Sequence, residues 1–109
     1  MQISVRHFDK TTIFDVSGDV DFANSPEIRR SLLCEIQESR TPRVVLNLSE
    51  VRYIDSSGIA SLVEALKASR DLGSRFVLFG LGDATREALQ LSRLIKVFEF
   101  YNLVQALAS

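Results

Sequence analysis

Val51-Arg52-Tyr53-Ile54-Asp55-Ser56-Ser57-Gly58, followed at once by Ile59-Ala60-Ser61-Leu62-Val63-Glu64-Ala65-Leu66, is the stretch from which the rest of the chain is read. Ile59, Leu62, Val63 and Leu66 stand at i, i+3, i+4 and i+7, the spacing of one apolar stripe along a helix, so a helix with a buried face is expected over 59–66. Ahead of the stripe, Asp55, Ser56 and Ser57 each carry a side-chain oxygen suited to accept from the free N–H groups of a first helical turn. One of the three is the expected cap, and cap chemistry alone does not choose among them. Gly58 has no Cβ, so its backbone admits close approach or dihedrals closed to other residues. A helix N-terminus carries partial positive charge and favours an anion. A serine at this turn is therefore a sensible phosphoacceptor as well as an ordinary helix cap.

Upstream, Val44-Val45-Leu46 with Leu48 is too continuous for a half-exposed strand and fits a central strand covered on both faces. Ile3, Val5 and Phe8, then Ile13, Phe14 and Val16, form two shorter runs joined at Asp9-Lys10-Thr11, which reads as a β-hairpin. Gly18-Asp19-Val20-Asp21 interrupts the second run. Ser25-Pro26 has the order of cap and first-turn proline, and Ile28, Leu32, Leu33 and Ile36 supply a buried helix face, with Arg29, Arg30, Glu35 and Glu38 on the wet side. Thr41-Pro42 closes that helix. Downstream, Asp71-Leu72-Gly73 offers a glycine terminus, Phe76-Val77-Leu78-Phe79 is a second continuous strand, and a helix is expected over 84–91. A short strand over 95–98 and a terminal helix from about Asn102, packing through Leu103, Val104 and Leu107, complete the pattern.

The order strand, strand, helix, strand, helix, strand, helix, strand, helix makes an α/β fold. Right-handed crossovers favour a mixed, mainly parallel β-sheet with an antiparallel first strand, flanked by about four helices. Residues just past the carboxyl ends of parallel strands share one edge of such a sheet. That edge would gather Asp19 and Asp21, residues 49–58 and residues 80–85.

A chain of 109 residues is about one domain, here residues 1–109 as a whole. Thirteen basic residues against fourteen acidic leave a formal charge of -1, which argues against nucleic acid as a partner. No apolar run approaches the ~18 residues of a membrane span and the start has no signal-peptide pattern, so a cytoplasmic protein without direct membrane insertion is expected. Cys34 is alone and reads as a small core residue, and His7, the single histidine, falls on the edge strand. No metal site or catalytic pair follows from these, and no catalytic residue is assigned. Gly80 and Gly82 between strand and helix invite a dinucleotide reading, but the third glycine of that pattern would fall at Thr85 and no acidic ribose partner is placed, so no cofactor is expected.

Asp55-Ser56-Ser57-Gly58, set between the strand at Val44-Val45-Leu46-Asn47-Leu48 and the following helix, resembles the signature of the STAS domains, in particular the bacterial anti-sigma factor antagonists. Ser17-Gly18-Asp19-Val20-Asp21 is similar to that family's Gly-(Glu/Asp)-x-Asp turn after the second strand, and the resemblance covers nearly the whole chain. It implies a single STAS-like domain that is not an enzyme. Its function would be partner switching: unphosphorylated, the protein binds an anti-sigma factor that is also a serine kinase; phosphorylated on the first serine of the turn, here Ser56, it lets go; a serine phosphatase resets it. A phosphoserine adds about -1.5 to -2 charges, which a helix N-terminus tolerates and an acidic partner surface does not. The resemblance further implies that Asp55 fixes the turn and contacts the kinase, that Ser57 supports or caps the helix, that Gly58 lets the partner's backbone come close, and that Asp19 and Asp21 join the interface. An alternative from the same family is a STAS subunit of an ABC-type lipid transport complex, bound to its ATPase.

Overall fold

The computed structural model describes residues 1–94 and 98–100. Strands β1 (Gln2–Phe8) and β2 (Thr11–Val20) form the expected hairpin. Its tip is shorter than the sequence suggests, because Thr11 already pairs with Phe8; Asp9 and Lys10 alone turn the chain, both left-handed (φ 44° and 65°), a hand that matches strand twist. Helix α1 (Ser25–Leu33) runs into one widened, π-helical turn at Cys34–Glu38, and β3 (Arg43–Ile54), α2 (Ser56–Asp71), β4 (Arg75–Phe79), α3 (Asp83–Leu91) and β5 (Glu99–Phe100) follow. One sheet holds the strands in the order β1-β2-β3-β4-β5, with β1 antiparallel to β2 and the other neighbours parallel. The described residues contain three α-helices. The terminal helix expected from Asn102 and the first three residues of the strand expected over 95–98 lie outside the described residues.

Because each strand lies beside its predecessor, right-handed crossovers put α1, α2 and α3 on the same face of the sheet. The core shows this: Phe14, Leu46 and Leu78 from the sheet share one buried cluster with Ile28 and Leu32 of α1, Leu62 of α2 and Leu89 of α3. The alternate residues Ile13, Val45 and Val77 are register partners across β2, β3 and β4 and form a second buried row on the opposite face. Two buried faces are the reason β3 and β4 read as unbroken apolar runs. Helix α2 ends as its glycine predicts: Gly73 (φ 71°) donates to the Arg70 carbonyl and Ser74 to that of Ser69, the paired bonds of a left-handed helix stop.

Several local expectations are corrected. Cys34 is exposed, because it lies two residues from both Leu32 and Ile36 and so about 200° around the helix from the buried stripe. Glu38 hydrogen-bonds its thiol and, with that negative charge nearby, raises the thiol pKa. Glu35 is half-buried and not on the wet side: the widened turn brings it over the sheet, where its carboxylate accepts from Thr12 Oγ1 at 2.7 Å and from Thr41 Oγ1. Ser25 does not cap α1. The upstream Asp21 carbonyl already accepts from Ser25 N at 2.8 Å, and Ser25 becomes the first helical residue, buried.

The change that matters most for the site is in β2 and β3. Gly18-Asp19 does not end β2; register shifts at Asp15/Ser17 and Gly18/Asp19, with Gly18 at φ 90°, carry the strand on to Val20. β3 likewise continues to Ile54, although it pairs with β4 only from Arg43 to Asn47. A two-stranded extension of β2 and β3 therefore stands beyond β4 and holds the Asp55-Ser56-Ser57-Gly58 turn at its end.

Candidate functional site

At the end of this extension Val20 and Ile54 are register partners, so the turn after β2 and the turn after β3 leave the sheet side by side. Asp55 ties them together. Its backbone is extended (φ -107°, ψ -173°), its Oδ1 accepts from Gly58 N at 3.0 Å, and its Oδ2 accepts from Phe22 N at 2.9 Å. Its own N–H donates to the Val20 carbonyl at 3.3 Å, and its carbonyl accepts from Ile59 N as the first bond of α2. A carboxylate has two oxygens for two donors, where a serine has one. The cap is therefore Asp55, and neither Ser56 nor Ser57, which corrects the expected capping role of Ser57.

Freed of capping, Ser56 is the first residue of α2 and is exposed. Among the described residues nothing bonds to the Ser56 hydroxyl or accepts from the N–H groups of Ser56 and Ser57. Those two donors and the helix dipole leave a positive end facing the hydroxyl. Ser57 is half-buried, and its carbonyl accepts from Ser61 Oγ at 3.1 Å one turn later. Gly58 is buried for a definite reason: a Cβ there would stand 2.5 Å from the Val20 carbonyl oxygen and 2.7 Å from Ile54 Cγ1. The backbone that comes close to Gly58 is the chain's own β2.

Asp21 closes the neighbouring turn, its Oδ1 accepting from Asn24 N at 3.0 Å, while the Asp19 carbonyl accepts from Asn24 Nδ2 at 3.1 Å. Asp19, Asp21, Asp55, Ser56, Ser57 and Gly58 are thus brought to one edge. The segment over 80–85 reaches the same edge from the other side, but as packing. Gly80 (φ 75°) sits where a Cβ would meet Ser49 Cβ at 2.8 Å, and Thr85 is fully buried with its hydroxyl unpartnered.

Two residues at this edge escaped the sequence reading. Phe22, on the turn after β2, is 79% exposed, and Tyr53, near the end of β3 two residues before Asp55, is 52% exposed. For Phe22 the signal was present, since it lies among Asp21, Ala23 and Asn24 with no strand or helix period to bury it; for Tyr53 it was not, since alternation puts it on the face of Val51 and only the register shift that skips Arg52 lets it turn outward. His7, by contrast, is exposed on β1 with Nδ1 3.2 Å from Thr12 Oγ1, at a distance from this turn along the hairpin. Among the described residues no group of three or more His, Cys, Asp or Glu side chains is placed to hold a metal, and no helix is long and apolar enough to cross a membrane.

Comparison with known proteins returns the same architecture. A sequence model of the STAS domain matches residues 2–107. An anti-sigma-B factor antagonist of Listeria monocytogenes is 32% identical over 104 residues, covering 94% of this chain and 89% of its own length. An anti-sigma F factor antagonist of Paenibacillus polymyxa is 27% identical over 108 residues, 98% of this chain and 92% of its own. Among solved structures, an anti-sigma factor antagonist from Mycobacterium paratuberculosis, 27% identical, superposes with a TM-score of 0.85 over 97% of this chain and 90% of its own.

Proposed function

The chain belongs to the STAS domain family, and from that premise we propose that it is an anti-sigma factor antagonist controlled by phosphorylation of Ser56. Unphosphorylated, it binds an anti-sigma factor with serine kinase activity; phosphorylated, it releases it; a serine phosphatase restores the binding form. The observation that supports this most directly is the state of Ser56, an exposed and unbonded hydroxyl at the start of α2, next to a carboxylate that has already taken over the cap.

In the phosphoryl transfer, the Ser56 oxygen forms a bond to the γ-phosphorus of ATP, the bond from that phosphorus to ADP breaks, and the hydroxyl proton passes to a base of the kinase. The antagonist contributes position and no catalytic group. The product faces ADP with a phosphoserine of about -1.5 to -2 charges. Two unit charges 5 Å apart at an effective dielectric of ~20 repel by about 3 kcal/mol, a loss of roughly a hundredfold or more in affinity. On the antagonist's own side the added charge meets the N-terminus of α2, which favours it by about 0.3–1 kcal/mol. Release therefore proceeds without refolding. In this reading Asp55 and Gly58 hold the turn, Ser57 supports the first helical turn, and Asp19 and Asp21 lie within the partner's reach. The relatives reported above are antagonists by name, which weighs against the transport-subunit alternative.

The test is incubation with a purified serine-kinase-type anti-sigma factor and ATP, followed by mapping of the modified residue by mass spectrometry. Modification at Ser56 is expected, and modification at Ser57 alone overturns the assignment. Ser56→Asp is expected to weaken kinase binding while its thermal midpoint stays within a few degrees of wild type. Unfolding of that variant would mean that Ser56 is a structural residue.

A further inference from the structure

A kinase that modifies Ser56 has to bring its ATP to that hydroxyl, so its surface covers whatever surrounds Ser56. A stable interface buries about 800 Å² on each partner, a patch roughly 16 Å in radius. Tyr53 is three residues from Ser56, at most about 11 Å along an extended chain. Phe22 is held by its amide on the Asp55 carboxylate, one residue from Ser56. Both aromatics therefore fall inside the footprint. Among the described residues, the other large apolar side chains that are more than a third exposed lie elsewhere: Val5 and Phe8 on β1, and Leu72 and Leu91 at the C-terminal ends of α2 and α3.

Resting on the function proposed above, we propose that Phe22 and Tyr53 are the apolar anchors that seat the kinase-type anti-sigma factor, each entering an apolar recess on its surface. Both stand on fixed backbone. The Phe22 amide is bonded to Asp55, and the carbonyl of the preceding Asp21 accepts from Asn24 N and Ser25 N. Tyr53 is in register with Asp19 on β2. An aromatic ring presented on rigid backbone loses little conformational entropy on docking, and such rings near the centre of an interface carry most of its energy. The carboxylate of Asp19 lies beside Tyr53 in the ladder and that of Asp21 precedes Phe22. The matching recesses would accordingly carry cations on their rims, away from the nucleotide phosphates that face Ser56.

The experiment measures the affinity of a purified serine-kinase-type anti-sigma factor from the source organism for wild type and for Phe22→Ala, Tyr53→Ala, Phe8→Ala and Ser56→Asp. Circular dichroism melts on each accompany it. Phe22→Ala and Tyr53→Ala are each expected to raise Kd by roughly 30-fold or more, while Phe8→Ala, on an exposed phenylalanine outside the footprint, stays within about twofold. All three alanine variants are expected to melt as wild type does, since the side chains removed are exposed. Wild-type affinity in Phe22→Ala and Tyr53→Ala, with binding lost in Ser56→Asp, overturns the anchors and leaves the switch at Ser56 standing. Failure of wild type itself to bind the kinase overturns both.

Discussion

Replacing Gly58 by alanine separates two explanations of the glycine in the Asp-Ser-Ser-Gly turn. In an unhindered helix the change stabilises, by about 0.5–1 kcal/mol, because alanine loses less backbone freedom on folding. Here the new Cβ would lie 2.5 Å from the Val20 carbonyl oxygen, roughly 0.8 Å inside the ~3.3 Å at which C–H···O contacts settle, and 2.7 Å from Ile54 Cγ1. One obstacle is backbone and the other is a side chain in the core, so neither can swing aside. The first turn of α2 has to retreat. That lengthens the Asp55 N to Val20 O bond, already 3.3 Å, and pulls the Asp55 carboxylate from Phe22 N. Overpacking costs about 1–3 kcal/mol and two weakened hydrogen bonds add about 1–3, against the ~1 returned by helix propensity. A net loss near 3 kcal/mol is expected, or roughly 10 °C or more in thermal midpoint for a chain of this size. Urea titration followed by far-UV circular dichroism, a probe that needs no tryptophan, would show the midpoint falling with an unchanged slope. Gly73→Ala is the companion: with φ 71° but nothing within 4 Å of the new Cβ, it should lose only about 1 kcal/mol. A Gly58→Ala protein as stable as wild type would refute the steric account and return the glycine to the partner's side of the interface.

Asp55→Asn keeps one acceptor and turns an amide donor toward the other backbone N–H, so a loss of about 1–2 kcal/mol in urea denaturation is expected; no loss would mean that the carboxylate does not join the two turns. Asp15 gives the pH dependence. Burial pushes its carboxyl pKa up, but hydrogen bonds from Arg6 and Asn47 and the charge of Arg6 outweigh this and set it below the ordinary value. With the folded pKa depressed, the stabilisation is full above the unfolded pKa of about 4 and is lost as pH falls through the folded one. The pair is partly exposed, so Asp15→Asn should cost at most about 1 kcal/mol at pH 7, and its stability curve should converge on that of wild type as pH falls through the depressed folded pKa. A gap that persists unchanged in acid would show that the carboxylate charge is not involved.

Much of the fold was legible because it rests on contacts between near neighbours in the chain. Ile59, Leu62 and Leu66 repeat with the helix and are buried along it, Val44 to Leu46 is apolar without a gap and is covered on both faces, and Gly73 stops α2. The motif also marked a helix start: its three cap candidates and glycine stand where α2 begins, at the end of the β2–β3 extension. What the sequence left open was decided at long range. Three residues could cap α2, and Asp55 does because its second oxygen meets the amide of Phe22, 33 residues earlier. That choice leaves the Ser56 hydroxyl free, and no local propensity contains it. Gly58 answers to Val20 on another strand, and Glu35 turns inward because a widened helical turn places it over Thr12 and Thr41. Periodicity tells which face of an element is buried; only the packed structure tells which atoms of two elements meet, and at this edge those meetings determine which hydroxyl is exposed.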